Sequence, residues 1–150
     1  MSTQRNEPAL THCQICGRAI KSTSGLIAHH GYQRPESGWQ TSSCEGARHL
    51  PYEQDRERIV AVQRRVLEHS VSLVLQIDDV KANPPDELMT RVNNKFVTLK
   101  KGTREYDACL QARLRQLAAT IKRNEEFVRY LQSRYDSWTP PEEFSVEDIL

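Results

Sequence analysis

Cys13, Cys16, His30 and Cys44 fall in the spacing C-x2-C-x13-H-x13-C, and nothing else in the chain limits so tightly what it can fold into. Two thiols three residues apart converge on one ion, and a following glycine, Gly17, relieves the tight backbone beneath the sulfurs. Residues 13–50 are rich in Gly, Ser, Thr and His and have hardly any aliphatic run. A conventional core cannot hold such a segment, whereas a metal can. Ala19 to Lys21 and Leu26 to Ala28 are expected to pair as a hairpin across the turn-rich stretch Ser22 to Gly25, which carries His29-His30 back to the two thiols. A polar excursion from Gly31 to Ser43 then returns Cys44, with Gly46 close behind it.

Four soft or borderline ligands select zinc over magnesium or calcium. All four positions are then filled by protein, which leaves no open site for water and marks a structural ion rather than a catalytic one. In a strand His29 and His30 point to opposite faces, so one of them ligates. His30 is favoured because Gly31 lets the chain turn away from the ion; His12 and His49 are weaker alternatives. Cys109 sits one residue before an apolar seam position and reads as a helix cysteine, not a ligand. A redox dithiol is the competing account of Cys13 and Cys16, but that motif sits after a βαβ-type strand, and no such pattern precedes it here.

The remainder reads as helical. Ile59, Val62, Val66, His69, Leu73, Gln76 and Val80 repeat at 3 and 4 residues from about Glu53 to Lys81, with a second stripe of Leu67, Val71, Val74 and Leu75. Asn83-Pro84-Pro85-Asp86 stops that helix. Leu88, Val92, Phe96 and Leu99 then suggest a short intervening helix, and Gly102-Thr103 an interruption with an N-cap. Leu110, Leu114, Leu117, Ile121, Asn124, Val128, Leu131, Tyr135 and Trp138 form the longest seam, ended by Pro140-Pro141. The expected fold is mainly α: a zinc-binding β-hairpin module followed by a long antiparallel helical hairpin, coiled-coil-like, in which His69 meets Asn124. Its organisation would be a flexible N-terminus (1–12), a zinc-finger module (13–50), a helical hairpin (51–139) and an acidic tail (140–150).

Cys13-x2-Cys16-Gly17-Arg18, Gly25-x-Ile27, His30-Gly31-Tyr32-x-Arg34-Pro35, Gly38-Trp39, Ser43-Cys44-x-Gly46 and Pro51-Tyr52-Glu53 resemble a group of small zinc-finger proteins of bacteriophages and prophages. The resemblance covers residues 13–53 closely and the helical part only in type. It implies His30 as the fourth ligand and a phage setting, and it carries no activity with it.

Charge narrows the function classes. With 21 Lys and Arg against 20 Asp and Glu, the chain lacks the excess that non-specific phosphate binding relies on. Arg18, Lys21, Tyr32, Arg34, Trp39 and Arg48 would form a basic, aromatic patch if the module binds nucleic acid. No segment approaches the ~20 apolar residues of a membrane span, and the N-terminus has no apolar signal core, so a cytoplasmic location without membrane partners is expected. No nucleophile, base and phosphate loop converge on a site, so the chain is not read as an enzyme. The leading reading is a non-catalytic binder that engages a host protein, for instance a defence component. Nucleic-acid binding is the alternative, and the apolar seams also allow a homodimer.

Overall fold

The computed structural model describes residues 10–31 and 42–141. Its elements run β1 (Leu10–His12), β2 (Ala19–Thr23), β3 (Leu26–Ile27), α1 (Glu57–Ala82), β4 (Glu87–Val92), β5 (Lys95–Lys100) and α2 (Arg104–Asp136). The chain divides into two compact units, one made of residues 1–63 with 130–150 and the other of residues 64–129.

The first unit carries a three-stranded antiparallel sheet in the order β1-β2-β3. Thr11 faces Ile20, and Thr23 faces Leu26. Ser24 and Gly25 both take positive φ, 62° and 79°, so the β2–β3 hairpin closes through two residues whose left-handed backbone matches strand twist. A hairpin returns the chain as expected, but Leu26 and Ile27 pair with Thr23 and Ser22, whereas Ala19 to Lys21 pair instead with a third strand, Leu10 to His12. Among its described residues, Cys13, Ile15, Ile27, Ile59, Val62 and Leu131 are buried apolar side chains, and polar bonds supplement them. Tyr52 donates its hydroxyl to the Arg134 carbonyl. Arg56 donates to the Tyr135 carbonyl at 2.9 Å and lies over the Tyr135 and Trp138 rings. Trp138 Nε1 donates to the Tyr52 carbonyl at 2.6 Å. Pro51 is buried and its carbonyl accepts from the Gln54 and Asp55 amides. A turn therefore precedes α1, which starts at Glu57 rather than at the expected Glu53.

In the second unit β4 and β5 form a two-stranded antiparallel hairpin, with Leu88 opposite Leu99 and Val92 opposite Lys95. Asn93 and Asn94 link them at φ 48° and 62°. Thr103 caps α2, its Oγ1 accepting from the Tyr106 amide at 3.3 Å. Tyr106 is buried and donates its hydroxyl to the Pro85 carbonyl. Asn124 Nδ2 donates to Ser70 Oγ at 3.0 Å and to His69 Nδ1 at 3.3 Å, so the two polar seam residues do meet.

The mainly-α fold with a long helical hairpin and a short intervening helix is overturned. Two helices and two small sheets make up the described chain, an α+β arrangement. The physical reason lies in residues 87–100. Leu88, Val92, Phe96 and Leu99 fit a helical period, but Leu88, Thr90, Val92, Val97 and Leu99 also fit the period of two along facing strands. Asparagine tolerates the left-handed backbone that a two-residue hairpin turn demands. Asn93-Asn94 decides between the two periods in favour of strands.

Candidate metal centre

Three backbone devices bring the four ligands together. The Cys13 carbonyl accepts from the Gly17 amide at 3.0 Å and the Cys13 amide donates to the Arg18 carbonyl at 3.0 Å, which closes the first turn. The β2–β3 hairpin returns the chain to His30. There the Cys44 amide donates to the His30 carbonyl at 2.7 Å, while Ser43 Oγ accepts from the His30 amide at 3.1 Å and donates to its carbonyl at 3.0 Å. Gly31 turns the chain at φ 74°, and a Cβ on it would lie 3.1 Å from the Cβ of Cys44.

The ligating atoms of Cys13, Cys16, His30 and Cys44 all lie within 4.8 Å of one another. Cys13 Sγ is 3.9 Å from Cys44 Sγ, and Cys16 Sγ is 3.2 Å from His30 Nε2. Two sulfurs bonded tetrahedrally to one ion at about 2.3 Å stand about 3.8 Å apart, so the thiol pair has the separation of a shared ion and not of a disulfide. His30 is 8% exposed. Its Nδ1 is 2.8 Å from the Ala28 carbonyl, which can only accept. The ring therefore carries its proton on Nδ1 and turns the Nε2 lone pair toward the sulfurs, the orientation a metal-binding imidazole takes from its outer partner. Burial pushes the Cys13 thiol up to about 12, against the pull of the Cys16 and Ile15 amides, with Cys44 and Cys16 adding to the rise. Burial also raises Cys44. Burial thus disfavours the thiolate at Cys13 and at Cys44; a cation among the sulfurs supplies the missing charge. The cluster fits a metal ion and is compatible with zinc.

The weaker histidine alternatives face elsewhere. His12 is held by the Glu53 carboxylate through its ring and its amide, the latter at 3.0 Å and 3.1 Å. His29 Nε2 accepts from Arg48 Nε at 2.8 Å. The His49 pKa is lowered by burial and then by Arg58, and His49 is not part of the cluster. Cys109 also lies outside it.

Further residues support the cluster, and of these Gln14 and Arg134 carry no mark in the sequence pattern. Gln14, wholly buried within the first cysteine turn, donates to the Leu50 carbonyl at 2.8 Å and to Asp55 Oδ2 at 3.2 Å, and accepts from the Arg58 amide at 3.0 Å. It thereby caps the start of α1 with a residue from inside the C-x-x-C turn. Arg58 binds Glu45 at its carbonyl and carboxylate, 2.8 Å and 2.9 Å. Arg134 donates to the Gln14 carbonyl at 2.8 Å and to the Cys13 carbonyl at 3.0 Å, and stacks on Tyr52 at 4.3 Å. No local pattern marks Arg134, because its partners lie 120 and 121 positions away. Gly46 is buried, and a Cβ there would stand 2.2 Å from Cys13 Sγ.

Of the residues expected in a nucleic-acid patch, Arg18, Lys21 and Arg48 are exposed. Arg48 is engaged by His29, and no contact joins the three among the described residues. Tyr32, Arg34 and Trp39 lie outside the described residues. No helix among the described residues is long and apolar enough to cross a membrane. No family model, no curated protein and no solved structure matches this chain.

Proposed function

We propose that this chain is a zinc-stabilised, non-catalytic binding protein whose first unit is held together by one ion on Cys13, Cys16, His30 and Cys44. The observation that carries the reading is the closed donor set: three sulfurs and one imidazole nitrogen within 4.8 Å of one another. When bound, zinc supplies a fixed tetrahedral cross-link and the charge that lets buried thiols ionise. This chain's own residues do the rest. Ala28 fixes the His30 tautomer, Gly46 leaves room for the Cys13 sulfur, and Gln14 and Arg134 tie the first turn to α1 and α2.

The partner in this reading is a protein. Acidic and basic residues nearly balance, 20 against 21, which leaves little excess charge for non-specific phosphate binding. In the phage setting that residues 13–53 resemble, the protein engaged would belong to the host, for instance a defence component. Nucleic-acid binding through Arg18, Lys21 and Arg48 is the rival.

Elemental analysis of the purified chain, paired with recovery of partners from host lysate, tests the proposal. One zinc per chain, lost in Cys16→Ser, with a specific protein recovered and no salt-sensitive shift of DNA or RNA, is the expected result. A metal-free protein with oxidised cysteines would overturn the zinc reading. Nucleic-acid affinity that falls steeply with salt and drops in Lys21→Ala would transfer the function to the rival.

A further inference from the structure

α1 carries two apolar stripes. Along the inner one Ile59, Val62 and Leu73 are buried; along the outer one the apolar residues are exposed. Leu67, Val71, Val74 and Leu75 on that outer stripe stay 50%, 60%, 44% and 63% exposed. They line a groove of about 290 Å³ together with Ser70 on α1 and Ile121 and Glu125 on α2. Isolated exposed apolar residues are ordinary, but a contiguous patch with polar ends marks a docking surface.

The charges at the two ends of the patch say what fits it. Arg64 lies seven residues before Val71 and Asp78 seven residues after it, two helical turns in each direction. Both are exposed, and neither makes an ion pair among the described residues. A second α1 laid antiparallel across the first, with a two-fold axis near Val71, sets Val71 against Val71, Leu67 against Leu75, and Arg64 against Asp78 at both ends. Parallel pairing in register would instead set Arg64 on Arg64 and Asp78 on Asp78, which is repulsive. The patch is thus complementary to itself in apolar content and in sign, as an isologous interface must be.

We infer that the outer face of α1, centred on Val71, is the site at which a second copy of this chain docks antiparallel to form a two-fold dimer. The inference is independent of the metal centre, which lies in the other unit. Leu67 and Leu75 of each copy enter the other's groove, and the two Arg64–Asp78 pairs set direction and register more than strength.

Sedimentation equilibrium of the zinc-loaded full chain from about 1 to 500 μM reads the result against twice the 17.3 kDa chain mass. A concentration-dependent dimer is expected. Val71→Lys should weaken it by a factor of about 100 or more, since it places two cations on the axis. Arg64→Asp should weaken it about tenfold, and Arg64→Asp with Asp78→Arg should restore it, because the reversed pair is again complementary. Circular dichroism should show unchanged helix content in all three. A monomer at every concentration overturns the inference. A dimer indifferent to Val71→Lys, or a double reversal that fails to recover, overturns the assigned face and register. Metal content is unchanged in every case, so failure here does not touch the zinc reading.

Discussion

Gly46→Ala adds one methyl group at a position that binds nothing, and it should weaken metal binding about a hundredfold or more. An ideal Cβ at Gly46 stands 2.2 Å from Cys13 Sγ and 3.4 Å from Ile15 Cγ1. Ordinary contact begins near 3.5 Å, so the sulfur must retreat by about 1.3 Å. Metal–ligand distances tolerate about 0.2 Å, so Cys13 leaves the donor set. Gly46 is not among the glycines at positive φ, so the effect does not come from backbone strain. Structural zinc sites are worth about 10–16 kcal/mol in all, and one ligand of four is worth about 3 kcal/mol of that. The expected rise in Kd is about a hundredfold or more, read by competition with a chromophoric chelator. Gly25→Ala is the matched control. Its φ is 79° and nothing lies within 4 Å of the added carbon, so it should cost about 1 kcal/mol in stability and leave zinc affinity alone. Wild-type affinity in Gly46→Ala would refute the placement of Cys13 in the site.

Arg134→Ala removes two charged hydrogen bonds to the first cysteine turn and a ring stack. It should destabilise the first unit by about 3 kcal/mol in denaturant titration, with Arg134→Lys recovering less than half because lysine lacks the fork. Tyr106→Phe leaves the Pro85 carbonyl without its buried donor and should cost about 1–2 kcal/mol, seen in urea unfolding of the helical signal. For Glu53, burial alone would raise the pKa, but the His12 amide and ring prevail and hold it below 4.5. A depressed carboxylate stabilises in full above its ordinary value and loses that contribution as pH falls through the folded value. Wild type should therefore exceed Glu53→Gln in stability at pH 6 and converge with it in acid. A constant gap across the pH range would count against the pair.

What could be read in the sequence was local. The C-x-x-C-G turn, a turn within Ser22 to Gly25 and the choice of His30 by Gly31 each depend on residues within a few positions of one another, where turn chemistry dominates. The 87–100 segment is ambiguous because its apolar residues satisfy two periods at once; the Asn93-Asn94 pair, at positive φ in the turn, decides for strands. Gln14 and Arg134 were invisible for a different reason. Their hydrogen-bond partners lie far along the chain and, Asp55 apart, are backbone carbonyls and amides, which have no side-chain identity to recognise. The start of α1 shifted from Glu53 to Glu57 because Pro51 sits in a buried turn rather than in the first helical turn.

That Arg134 closes on the carbonyls of Cys13 and Gln14 has a temporal side. A ribosome adding about 5–20 residues per second makes the two cysteines of the first turn about 6–24 seconds before the arginine that clamps them. During that interval the thiols have no complete enclosure. Whatever reaches those thiols in that interval, a metal ion or an oxidant, reaches them before Arg134 exists to hold their turn.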